Sequence, residues 1–241
     1  MTRTNGNAVI TGGSMGLGRA LADELVRAGW SVTIDGRTAS VLARAEEQLT
    51  RLAGPGQRVG AVAGDIGDAD HRRRLLELAT AAGPIDLLVN NASELGGSPL
   101  PGLRDLEATA YERVLHTNVV APQQLVRAAL DRLSPDAVIV NISSDAGVEH
   151  YPTWGGYGSA KAALDHQSMT WAAEEPGLTW YAVDPGDLRT AMHQAAFPGE
   201  DISDRPAPET VAPTLVALVG SGRPSGRYRA ADLREAVAGA A

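Results

Sequence analysis

The chain predicts a doubly wound α/β domain, a mainly parallel seven-stranded sheet with helices on both faces. Short apolar runs alternate with longer amphipathic stretches from end to end, the pattern of strands buried on both faces and helices buried on one. Turn chemistry separates helices from the strands that follow, at Gly54-Pro55-Gly56, Gly83-Pro84 and Glu175-Pro176-Gly177. A length of 241 residues with 44% hydrophobic content fits one core of this kind, so 1–241 is expected to form a single domain.

Taken in order, an apolar strand near Ala8–Thr11 leads through a glycine-rich turn into an amphipathic helix near Gly16–Ala28. A strand near Ser31–Asp35 precedes a helix near Ser40–Leu52, and a strand near Arg58–Ala63 precedes a helix near Ala69–Ala81. The fourth strand, near Ile85–Asn90, is followed by a long helix near Tyr111–Leu133; the fifth, near Ala137–Ile142, by one near Tyr157–Glu174. Strands near Thr179–Val183 and Gly226–Arg229 flank a helix near Pro208–Gly220. The segment 187–208 is rich in proline, glycine and acidic residues. It follows Asp184-Pro185-Gly186 at a strand's carboxyl end, where open α/β sheets bind ligands, which makes it a candidate substrate lid.

Composition excludes several classes. A formal net charge of -8 argues against nucleic acid as a partner, and Arg72-Arg73-Arg74 is the solvated face of a helix. With no cysteine there is no disulfide, thiolate catalysis or thiolate-bound metal, and no metal site is expected. No apolar run approaches the length of a membrane span. The opening residues, Met1 to Thr11, lack the apolar stretch of a secretory signal, so a cytoplasmic location is expected. The basic residues are twenty arginines and one lysine, Lys161. Something at that position does not accept arginine.

The first turn reads Thr11-Gly12-Gly13-Ser14-Met15-Gly16-Leu17-Gly18. Glycines between a strand and a helix let backbone approach a pyrophosphate, and the helix amino terminus offers N–H groups to the anion. Its spacing, together with Asp65-Ile66, Asn90-Asn91-Ala92, Asn118, Ser144, Tyr157 with Lys161, and Pro185-Gly186 in that order, resembles the short-chain dehydrogenase/reductase family over nearly the whole chain. The resemblance implies a Rossmann-type fold with a nicotinamide dinucleotide on the glycine turn (Gly12, Ser14, Met15, Gly16, Leu17, Gly18). It implies that Asp65 and Ile66 hold the adenine and that Asn90, Asn91 and Ala92 line the cofactor. Pro185, Gly186, Leu188 and Thr190 would approach the nicotinamide. Ser93 stands where the family usually has glycine.

An acidic side chain at the end of the second strand favours NAD, and an arginine favours NADP. Aligned with the family, the acidic position is Gly36 and Arg37 follows it, so NADP(H) is expected. Asp35 is the competing ribose ligand, and would favour NAD(H). Alternation along a strand means that Asp35 and Gly36 cannot both face the ribose. Met15 stands where many NADP-preferring relatives carry a basic residue.

Carbonyl reduction leaves an alkoxide to be protonated, and the reverse reaction needs a base. A phenol of pKa about 10 can serve both if a cation stands near it. Lys161 follows Tyr157 by four residues on a predicted helix, so the two share a face. The resemblance assigns Ser144 to the substrate oxygen, and Asn118 to a water and backbone that connect Lys161 to solvent. Glu94, Asp145, His150, Tyr151, Trp154 and Asp187 are expected beside the substrate. His150 is expected as a loop or pocket-wall residue rather than a catalyst, and Asp187 either meets substrate or caps the lid. The expected activity is NADPH-dependent reduction of a ketone or aldehyde, with a polar ketone favoured over a long plain acyl chain. The alternatives are an NAD-dependent alcohol dehydrogenase and a non-catalytic dinucleotide sensor. Relatives such as 3-oxoacyl-carrier-protein reductases imply a homodimer or homotetramer through the helices at 111–133 and 157–174.

Overall fold

The computed structural model describes residues 5–238. The first four residues, which the expectation about the amino terminus includes, lie outside that range. Seven strands form one sheet, β1 (Asn7–Ile10), β2 (Ser31–Gly36), β3 (Val59–Ala63), β4 (Ile85–Asn90), β5 (Leu133–Ile142), β6 (Thr179–Asp184) and β7 (Gly226–Arg229). All pairings are parallel, in the order β3-β2-β1-β4-β5-β6-β7.

Helices α1 (Gly16–Arg27), α2 (Ala39–Leu52) and α8 (Pro208–Val219) cover one face, where Leu21, Leu25, Leu49 and Leu215 meet Ile10, Ile34 and Val140. On the other face lie α3 (Ala69–Thr80) and α5 (Ala121–Ala129), with Leu75 and Leu125 against Val9, Leu88 and Ile139. The carboxyl-terminal half of α6 (Gly155–Glu174) joins them through Trp171. The winding direction reverses between β1 and β4, so their carboxyl ends splay apart and leave a crevice for a ligand.

Three departures from expectation have local causes. The long helix begins earlier, with α4 (Ala108–Leu115), and passes into α5 through a π turn at His116–Val120. It ends earlier as well, because Leu133 already pairs with Ile85 at the start of β5. Two short helices stand where the sequence reading places none: α7 (Ala191–Ala196) inside the 187–208 segment, and α9 (Ala230–Ala238).

Candidate active site

A cleft of about 1330 Å³ opens over the carboxyl ends of the strands at the reversal point. It is roomier than the ~300–1,000 Å³ of most small-ligand pockets. Its floor is the turn from β1 to α1, where Gly12 (φ 65°) and Gly16 (φ 57°) adopt left-handed backbone that other residues resist. The amino terminus of α1 has no side-chain cap and no acidic residue in its first turn, so its free N–H groups and positive dipole end are available to an anion. The residues present therefore fit a pyrophosphate. Ser14, Met15, Gly16 and Leu17 border the cleft. Gly18 does not: it is a packing glycine, because a Cβ there would run into the Gly12 carbonyl and the Asn91 amide.

At the far end of the cleft, a Cβ on Gly36 would lie 2.8 Å from Ser14 Oγ, so that position faces the glycine turn and a side chain there would displace the Ser14 hydroxyl. Arg37 stands at the rim with its side chain 67% exposed. Asp35 is buried, with one carboxylate oxygen accepting the Gly12 N–H at 2.6 Å and the other 2.9 Å from His71 Nε2. Asp65 and Ile66 border the cleft, as do Asn91 and Ala92. Asn91 Nδ2 donates to the Thr11 carbonyl at 2.9 Å and ties β4 to the glycine turn.

Asn90 is corrected by the structure. Its side chain turns into the sheet and donates to Asn141 Oδ1 at 2.7 Å, because successive residues of β4 face opposite sides.

The reacting end is built on α6 and the segment after β5. Tyr157 is 8% exposed, and Lys161 Nζ sits 5.4 Å from its ring centroid. Burial raises the Tyr157 pKa well above that of a free phenol; hydrogen bonds with Ser93 and Ser144 pull it down, and Asp184 and Asp145 push it up. Lys161 is 2% exposed and donates to the Ile142 carbonyl at 2.7 Å. Burial lowers its pKa to about 8, against a small opposing pull from Asp165. Ser144 caps the short turn at Asp145–Gly147, accepting the Ala146 N–H, and its hydroxyl donates to Asp145 Oδ1 at 3.0 Å.

Asn118 lies in the π turn, 1% exposed. Its Oδ1 accepts from Ser93 Oγ at 2.9 Å and the Glu94 N–H at 3.0 Å, and its Nδ2 donates to the Glu94 carbonyl at 2.8 Å. It thus clamps the 93–94 loop. Ser93, a departure from the family glycine, adds a hydroxyl that donates to Asn118 Oδ1 and, from its place beside the phenol, lowers the Tyr157 pKa. That placement was not foreseen from sequence.

Among the expected substrate-side residues, Asp145, Tyr151 and Trp154 line the cleft, and Tyr151 donates to Asp145 Oδ2 at 2.9 Å. His150 does not line it; it is exposed, because the turn that carries Asp145 and Ala146 inward leaves 148–150 on the outer surface. Glu94 lines the cleft, but its carboxylate reaches Arg37 Nη1 at 3.3 Å, toward the far end rather than Tyr157. Asp187 lies 3.6 Å from Arg205 Nε and 3.9 Å from His193 Nδ1, so it braces the 187–208 segment. Pro185, Gly186, Leu188 and Thr190 border the cleft, and Thr190 caps α7 by accepting the His193 N–H at 3.1 Å.

Sequence missed the aromatic wall from α7. Phe197 packs 5.8 Å from Trp154, which itself lies edge-on 5.7 Å from Tyr157. The signal was there in the one phenylalanine of the chain, placed inside the candidate lid. Among the described residues no group of side chains could hold a metal ion, and no helix is long and apolar enough to cross a membrane.

A doubly wound sheet with a glycine turn below the cleft and a Tyr-Lys pair beside it defines the nucleotide-linked oxidoreductase class. Residues 6–201 match the short chain dehydrogenase family, and the chain belongs to it. Short-chain dehydrogenase/reductase FrzI of a Cladobotryum species is 37% identical over 169 residues, covering 69% of this chain and 63% of that protein. A short chain dehydrogenase of Pseudomonas syringae has a TM-score of 0.86 at 30% identity, over 94% of this chain and 95% of that one. A short chain dehydrogenase of Escherichia coli CFT073 complexed with NADPH scores 0.85 at 26% identity, over 95% and 97%.

Proposed function

We propose that the chain is an NADPH-dependent carbonyl reductase in which Tyr157 donates the proton. The observation that carries this is a buried phenol, beside Ser144 in a large cleft and backed by a buried ammonium. A phenol whose pKa is raised keeps its proton at neutral pH, which suits a donor to a nascent alkoxide and disfavours the base needed for alcohol oxidation. When bound, the dinucleotide supplies the hydride.

Ser144 turns its hydroxyl to the substrate oxygen and orients it against Tyr157. As the phenol loses its proton, Lys161 stabilises the phenolate from across the ring. Asn118 holds the loop that sets Ser93 beside the phenol. The α1 amino terminus receives the pyrophosphate, Asp65 and Ile66 border the adenine, and Arg37 binds the 2′-phosphate. NADPH in a structural relative, and an end of β2 where Gly36 faces the glycine turn without an acidic side chain, support that cofactor choice.

Asp145, Tyr151, Trp154 and Phe197 form a mixed polar and aromatic wall that suits a compact polar ketone, with 187–208 as lid over a single domain. Self-association runs through the α4–α5 and α6 helices. Tyr157→Phe removes the donated proton, and turnover of a carbonyl panel with NADPH should fall at least about 100-fold. Unchanged turnover would sink the assignment.

A further inference from the structure

Asp35 and His71 take no part in the mechanism above, yet they are among the most buried polar groups of the domain, at 2% and 0% exposure. Asp35 engages the glycine turn twice, its carboxylate accepting the Gly12 N–H at 2.6 Å and its carbonyl the Gly13 N–H at 3.0 Å. The second carboxylate oxygen meets His71 Nε2 at 2.9 Å. His71, from the first turn of α3, has a partner for Nε2 but none for Nδ1. Its ring fills the space where a Cβ on Gly64 would stand, one residue before Asp65. The Gly64 N–H in turn donates to the Gly36 carbonyl at 3.1 Å. Three segments of the dinucleotide cleft, the glycine turn and the ends of β2 and β3, thus meet on one buried pair.

We propose that Asp35 and His71 are positioning residues for the dinucleotide site: they hold the glycine turn and the Gly64-Asp65 turn, and keep the β2 carboxylate away from the ribose. Each oxygen of Asp35 already holds a partner and the residue is 2% exposed, so its carboxylate is turned from the space where a ribose diol would lie. The pair therefore serves NADPH and NADH alike, and selection between them is left to Arg37. The inference rests on the dinucleotide assignment but not on the preference for NADPH.

The test uses Asp35→Ala and His71→Ala beside Asp35→Asn and His71→Gln, which retain a hydrogen-bonding atom at each contact. Amide exchange is followed in the ligand-free full chain, and NADPH and NADH affinities by calorimetry. In the alanine variants, faster exchange is expected at residues 12–16 and 64–67 but not in β5. Both dinucleotides should weaken by the same factor, about tenfold, as for one lost buried hydrogen bond. The conservative variants should stay within about threefold of the parent by the same reasoning.

Selective loss of NADH in Asp35→Ala would make Asp35 a ribose ligand and overturn the proposal. So would unchanged exchange and affinity in His71→Ala, or exchange raised uniformly across the sheet. If the parent binds both dinucleotides equally, the NADPH preference fails, while the equal loss predicted for the alanine variants still stands or falls on its own.

Discussion

Lys161 gives the sharpest test, because its burial should cost stability. Its folded pKa, lowered to about 8 from 10.5, corresponds to a penalty of about 3 kcal/mol for holding the ammonium in the fold. The unfolded chain keeps this proton up to about pH 10.5 and the folded chain only to about pH 8. The penalty is therefore complete below pH 8, shrinks as the pH rises between those values, and vanishes above them. Lys161→Met keeps the stem and removes the charge. It also loses the donor to the Ile142 carbonyl, a cost of about 1 kcal/mol.

The balance is a gain of roughly 2 kcal/mol at pH 7, a rise in midpoint of about 4–8 °C for a chain of this size. Thermal unfolding of the ligand-free variant and parent at pH 7 and pH 10 measures it. The variant should unfold at higher temperature at pH 7, the gap should narrow by pH 10, and carbonyl turnover should be lost. A midpoint equal to or below the parent's at pH 7, or a gap that does not narrow, would refute the reasoning. Lys161→Arg keeps a charge that cannot be shed and replaces a compact ammonium with a planar fork, so turnover should drop sharply.

Arg37→Ala should raise the KM for NADPH by about 10–100-fold, the worth of a charged hydrogen bond to phosphate, and leave that for NADH nearly unchanged. Steady-state kinetics with both cofactors decides it. Glu94→Gln frees Arg37 from an exposed pair worth at most about 1 kcal/mol, so NADPH should bind up to about fivefold tighter in a direct titration. Asn118→Ala removes three bonds to the 93–94 loop and strands the Glu94 N–H. Denaturant titration should show a loss of about 1–3 kcal/mol, with reduced kcat as the 93–94 loop beside Tyr157 loosens.

Much of this was legible in the chain, because local rules governed it. Strand and helix periods marked the layers, and Gly-Pro turns marked their ends. A lone lysine four residues after a tyrosine marked a position where arginine does not serve. Those features depend on neighbours within a few residues, and the structure keeps them with small shifts at the ends.

What tertiary structure alone decided was the direction of side chains whose partners lie far along the chain. Nothing near Asn90 says that it bonds Asn141 across the sheet, or that Asn118, 24 residues from Glu94, clamps that loop. Asp35 stands as the competing ribose ligand until His71, 36 residues away, is seen to occupy it. His150 reads as a pocket wall until the turn before it is seen to carry it outward. Strand parity and turn conformation choose the face, and only the packed sheet shows what waits there.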